Sequence, residues 1–226
     1  MPLRGSDQAR GRGVVARCGV HGRIAPGPGV VTDLPVSSES YQCFAELTQH
    51  ETEGTDYAVR VSARPTSPVL VVAPHGGGIE AGTSELAASI ACDEHNLFTF
   101  DGLKPSGNRR LHIGSKLFDH PECVALLSRC AVVLGIHGCR GEGQIYVGGL
   151  ESRLMSRLVE ALISAGLPAT TCVPTHLAGR DPLNICNRGI RRQGAQLEIT
   201  MDLRLRHARA PLADAVRRAL SAYLCE

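Results

Sequence analysis

The residues of this 226-residue chain best suited to chemistry stand in two short stretches. In the first, the apolar run Val69–Ala73 leads through Pro74 to His75, three glycines, Ile79 and Glu80, with Gly82-Thr-Ser-Glu85 following. In the second, the apolar run Ala131–Ile136 ends in His137 and then Gly138-Cys-Arg-Gly141. Such runs read as buried central strands, and open α/β sheets collect their sites where strands end at the carboxyl edge. Two imidazoles and one carboxylate brought from two strand ends form the ligand set of a catalytic zinc, with a fourth position left for water. That mixed set suits zinc, which lowers the pKa of a water molecule towards about 7. Each residue also has a plainer reading: a hydrogen-bonded loop histidine, or a glutamate serving the dipole of the next helix. Taken together, with a glycine loop after both strands, they point to His75, Glu80 and His137 as metal ligands.

A zinc amidohydrolase also needs a base, and it gains from a cation where an oxyanion develops. Glu198, alternating with Leu197 and Ile199, would project from one face of a late strand and is the candidate base, a solvated strand residue being the alternative. Arg188, in Asn184-Ile-Cys-Asn-Arg-Gly189, is expected to steady charge on substrate or intermediate through its fork, with Asn187 and His112 as further substrate contacts. A surface arginine is the plain reading there. His176 is a further titratable group, and Cys139 could close the site as a fourth ligand. Other glycine-rich readings fail: His-Gly-Gly-Gly is followed by no G-x-S-x-G elbow, and neither G-x-G-x-x-G after a strand nor G-x-x-x-x-G-K-[ST] occurs.

Elements able to hold these groups alternate along the chain as in an α/β domain. Strands are expected at Tyr57–Ala63, Val69–Ala73, Asn96–Phe100, Ala131–Ile136, Ala169–Val173 and Gln196–Met201. Helices are expected at Tyr41–His50, Thr83–Asp93 (capped by Thr83 or Ser84), Pro121–Arg129, along the Leu150, Leu154, Leu158, Leu162 stripe ended by Gly166, and at Pro211–Leu224. The expected fold is a single-domain α/β, a mixed, mostly parallel open sheet with helices on both faces, over residues 38–226. Residues 1–37, basic and punctuated by glycine and proline, read as a disordered or overextended segment without the apolar core of a secretory signal.

Composition sets further bounds. A net charge of +2 with 20% charged residues announces neither nucleic acid nor an anionic membrane. Nine cysteines without a C-x-x-C pair fit a reducing cytoplasm better than a disulfide framework. No apolar run approaches a membrane span. A cytoplasmic monomer is the expectation.

The chain resembles the phage-type poly-γ-glutamate hydrolases, relatives in fold of the zinc carboxypeptidases. The resemblance runs through Phe44-Ala-Glu-Leu47, Glu53-Gly-Thr-Asp-Tyr57, Ala73-Pro-His-Gly-Gly-Gly-Ile-Glu80, Gly82-Thr-Ser-Glu85, Leu111-His112 with Ser115, Ile136-His-Gly-Cys139, Val147-Gly-Gly149, Asn184-Ile-Cys-Asn-Arg-Gly189 and Gln196-Leu-Glu198. It implies a carboxypeptidase-like sheet, one zinc on His75, Glu80 and His137, Glu198 as base, and hydrolysis of γ-glutamyl amides in a capsule-like polymer. Carboxypeptidases space their first two ligands as H-x-x-E, whereas His75 and Glu80 stand further apart, so exopeptidase specificity does not transfer. The Arg109-Arg110 pair lies outside the resemblance and bears on substrate choice if it reaches the cleft. Zinc hydrolysis of small N-acyl amino acids, such as N-formylglutamate, and non-catalytic binding of an anionic polymer are the alternatives.

Overall fold

The apolar stretch that opens the first motif lies inside a seven-stranded sheet, next to its central strand. The structure, a computed structural model, describes residues 41–226, without the side chains of residues 206 and 207; the expectation for residues 1–37 lies outside them. Along the chain run β1 (Tyr57–Ser62), β2 (Val69–Gly77), β3 (Asn96–Gly102), β4 (Val132–Cys139), β5 (Ile145–Gly149), β6 (Ala169–Thr170) and β7 (Ala195–Thr200). Their spatial order is β1-β3-β2-β4-β7-β5-β6. The pairs β2/β3, β2/β4, β4/β7 and β5/β6 are parallel, and β1/β3 and β5/β7 antiparallel. The helices are α1 (Phe44–Leu47), α2 (Thr83–Ala91), α3 (Pro121–Leu127), α4 (Ser152–Ser164), α5 (Met201–Arg204) and α6 (Arg206–Leu224).

The sheet separates two cores, and the two-residue period of a strand decides which residue enters which. Val69, Val71 and Ala73 pack with Leu86 and Ile90 of α2, Leu154, Leu158 and Leu162 of α4 and Leu220 of α6. Leu70 and Val72 enter the opposite core with Phe98, Phe100, Phe118 and Leu126 of α3. Helices therefore cover both faces, and the expected mixed, mostly parallel α/β sheet is found. The same alternation places the polar candidates: Ile136, Leu197 and Ile199 join the first core, so His137 and Glu198 emerge on the other face. They stand side by side, paired in register across β4 and β7.

Four departures from the sequence reading have local causes. Strand β5 was not expected, because five residues ending in Gly148-Gly149 are too short and glycine-rich to show a pattern; it forms by pairing antiparallel to β7. Strands β2 and β4 run on through His75 and His137, because their neighbours continue to pair beyond the apolar runs. Helix α2 is preceded by Gly82 at φ 90° rather than capped by Thr83 or Ser84; the Thr83 hydroxyl instead donates to the Glu80 carbonyl at 2.9 Å. Pro211 lies inside α6, which starts at Arg206 rather than at the proline; at the sixth position it removes one intrahelical bond.

Candidate metal centre

A bulge aims the first histidine. From Ala73 to Gly76 strand β2 takes three steps, while its partner β3 takes two, from Thr99 to Asp101. The extra residue reverses the alternation. His75 thus leaves the face of Ala73 and turns towards Phe118, its ring edge-on at a centroid distance of 6.5 Å. Its Nε2–H donates to the Ile113 carbonyl at 2.8 Å, which fixes the proton on Nε2 and leaves the Nδ1 lone pair free for a cation.

The glycine run then returns the chain to this point. Gly77 has φ +59°, and a Cβ there would lie 2.5 Å from the Gly102 carbonyl oxygen, so only glycine lets the loop lie against the end of β3. The turn is closed by Ile79 N–H donating to the Gly76 carbonyl and Thr83 N–H to that of Glu80. Glu80 is swung beneath His75. Its Oε1 stands 3.3 Å from His75 Nδ1, and its Oε2 accepts the Gly138 N–H at 2.7 Å.

His137 completes the arrangement, with Nδ1 3.3 Å from His75 Nδ1 and 4.0 Å from Glu80 Oε2. A tetrahedral ion with bonds of about 2.0–2.1 Å sets its ligand atoms roughly 3.3–3.4 Å apart, so the two 3.3 Å separations from His75 Nδ1 match a shared cation, while the 4.0 Å between His137 and Glu80 is wider. The chemistry agrees. With the His75 proton held on Nε2, its Nδ1 presents a lone pair to the His137 nitrogen and the Glu80 carboxylate, and a cation between them satisfies all three. Burial and the neighbouring His75 push the His137 pKa down to about 3, which keeps the ring in its neutral, metal-binding form. Burial alone would raise the Glu80 pKa, but His75, His112 and His137 together hold it well below the usual range.

His112 comes closer than the sequence suggested. Its ring stacks on His75 at 3.8 Å and 22°, with Nε2 3.7 Å from Glu80 Oε1. Ligand atoms of His75, Glu80 and His112 lie within 4.8 Å of one another, so His112 competes with His137 for the third position. The side chain of His112 is 38% exposed and that of His137 3%. His112 is thus the ring grouped compactly with His75 and Glu80, and His137 the buried, neutral ring whose Nδ1 lies 3.3 Å from His75 Nδ1.

Glu198 lies beside this cluster. Burial, reinforced by the charge of Glu80 and opposed by Arg204, raises its pKa to about 9. The Gln196 amide donates to its Oε1 at 3.0 Å and orients it. A cleft of about 920 Å³ opens over Glu80 and is lined also by Arg109, His112, Tyr146, His176 and Arg204.

Arg188 and Asn187 lie apart from the cleft. Arg188 donates from Nη1 to the Phe118 carbonyl. Asn187, fully buried, donates to the Gly179 and Asp181 carbonyls and accepts from Gly194 N–H, so its amide pins loops. The arginine pair divides: Arg109 lines the cleft, while Arg110 sits 5.2 Å over the Tyr41 ring, near Glu51. Cys139 lines the cleft with its pKa raised to about 11, chiefly by burial, which disfavours the thiolate a metal ligand needs. Arg204 was missed, since beside Leu205 and Arg206 in sequence nothing marks it off from a surface arginine.

Comparison with known proteins follows the same lines. A family model described as poly-gamma-glutamate hydrolase matches residues 41–211. The UPF0714 protein YndL of Bacillus subtilis (strain 168) is 40% identical over 176 residues, 75% of this chain and 69% of YndL. The UPF0714 protein YmaC of the same strain is 33% identical over 187 residues, 82% of this chain and 76% of YmaC. The solved structure of a bacteriophage poly-gamma-glutamate hydrolase has a TM-score of 0.78 and 31% identity, covering 83% of this chain and 99% of that one. A zinc-free apo structure of YndL has a TM-score of 0.76 and 34% identity, covering 82% and 98%.

Proposed function

Because the chain belongs to the poly-γ-glutamate hydrolase family, we propose that it is a zinc-dependent enzyme cleaving the γ-glutamyl amide bonds of poly-γ-glutamate, with residues 38–226 as the hydrolase domain. The observation that carries this reading is the approach of His137 Nδ1 and Glu80 Oε1 to His75 Nδ1, each at 3.3 Å, beside a buried Glu198. The zinc-free form of a solved relative supports the choice of metal.

His75, Glu80 and His137 would hold the ion. Zinc in that position supplies Lewis acidity, polarising a carbonyl and acidifying water. Glu198 takes a proton from the attacking water and delivers it to the leaving amine. Held neutral by burial in the metal-free chain, Glu198 ionises more readily beside a bound dication. The Gln196 amide keeps Oε1 in place through both transfers. His112, stacked on His75 and partly exposed, is placed to contact substrate. Arg109 and Arg140, both exposed in the cleft lining, give positive potential to a polymer with one free carboxylate per residue. Arg188, bound to the Phe118 carbonyl, is assigned to the protein wall and not to charge on the substrate.

The test is incubation of the purified, zinc-loaded protein with poly-γ-glutamate, read as chain length by size-exclusion chromatography. Shortening that stops on chelation and returns with zinc is the expected result. An intact polymer together with cleavage of N-formylglutamate or N-acetylated amino acids would move the assignment to small N-acyl substrates. No turnover of either class would remove the enzymatic reading.

A further inference from the structure

The cleft contains a buried cation that the scheme above leaves idle. Arg204 ends α5, directly behind β7, and is 3% exposed, yet it contributes to the cleft lining beside Glu80 and His112. Its Nε and Nη1 are buried without a hydrogen-bond partner. Glu80, Glu198 and Asp202 act on it only as charges through space. A desolvated guanidinium with unfilled donors is strongly unfavourable unless something occupies them. Arg109 and Arg140, by contrast, are exposed.

The surrounding backbone is cut to fit this side chain. At Gly138, directly after His137, a Cβ would come within 2.0 Å of Arg204 Nη1. At Gly82, in the loop after Glu80, a Cβ would meet the Arg204 carbonyl oxygen at 3.0 Å and its Cβ at 3.1 Å. Both segments that carry the candidate ligands, the end of β4 and the loop after β2, thus keep a glycine against this one residue, and the guanidinium is held next to the reacting centre.

We propose that Arg204 binds the carboxylate of the substrate that flanks the scissile amide. This rests on the poly-γ-glutamate reading and deepens it. In poly-γ-glutamate the leaving nitrogen is the α-amino group of the next glutamate, and the carbon attached to it bears that carboxylate, only two bonds from the nitrogen. A group lodged beside Glu80 and Glu198 is at the right depth to receive it. The planar guanidinium offers paired N–H donors matched to two carboxylate oxygens, which an ammonium does not.

The experiment is a titration of full-length, zinc-loaded protein with a γ-linked oligomer whose amides are replaced by ketomethylene groups, so that nothing is cleaved. It is run with the carboxylates free and with them capped as methyl esters, in high salt to screen the exposed arginines. Wild type should bind the free form at least roughly tenfold tighter than the capped one. Arg204→Met should bind both alike, and Arg204→Lys should recover only part of the preference. Retention of the full preference by Arg204→Met, or wild type binding both forms equally, overturns the proposal. Should Arg204→Met fail to fold, Arg204→Lys decides: an undiminished preference overturns the assignment and a reduced one supports it. Because no bond is broken, a chain that shows this loss yet never shortens the polymer keeps Arg204 as the carboxylate site while the hydrolase reading falls.

Discussion

Replacement of Glu198 by Gln in the zinc-free protein tests the electrostatics of the site without reference to any substrate. In that state burial, and after it the charge of Glu80, lifts the Glu198 carboxyl from 4.5 to about 9. The folded value is the higher, which sets the sign. Below about pH 4.5 both states hold the proton, and the group imposes no penalty on folding. Between about 4.5 and about 9 the folded chain keeps a proton that the unfolded chain has released. Stability therefore falls as pH rises, by about 1.4 kcal/mol per pH unit for one proton. For a chain of this size each kcal/mol is worth about 2–4 °C in Tm, so the loss is roughly 3–6 °C per pH unit. Glutamine carries no titrating proton and keeps the shape of the side chain. Melting curves of both proteins in chelator, at intervals from about pH 5 to about pH 8, should show the difference moving in favour of Glu198→Gln as pH rises. Histidine titrations are shared and cancel. Equal slopes in the two proteins would refute the claim that Glu198 is held protonated in the folded, zinc-free state.

The remaining predictions concern ligands and packing. His137→Ala should lose zinc on gel filtration while His112→Ala keeps it, as read by metal analysis; the opposite pattern would make His112 the third ligand. In the zinc-loaded protein Glu198→Gln should keep the metal and lower kcat by about 10²–10⁴-fold, the usual worth of a positioned base. Gly138→Ala forces a methyl group onto the buried Arg204 guanidinium and should cost about 1–3 kcal/mol in urea unfolding. Asn187→Ala strands two part-buried carbonyls and a buried N–H, so a loss of about 1–3 kcal/mol with an unchanged KM is expected.

The sequence was sufficient where local pattern and chemistry coincide. The apolar runs at 69–73 and 131–136 announced the central strands, the leucines of α4 announced a one-faced helix, and the histidines at the ends of those runs, with Glu80, are groups that the fold brings together. Alternation with Leu197 and Ile199 put Glu198 on the polar side of β7, where it stands.

What the sequence could not convey depends on register and on contacts between distant segments. The bulge that turns His75 to the other face arises from the mismatch of β2 with β3, a property of the pair. Arg188 looked available for substrate, but the Phe118 carbonyl, 70 residues away, takes up its Nη1. Arg204 looked like any surface arginine until the fold laid it against Gly138. Side-chain type and spacing name the groups that can react; only the packed chain decides which of them are desolvated, which are already satisfied, and which are left with donors to fill.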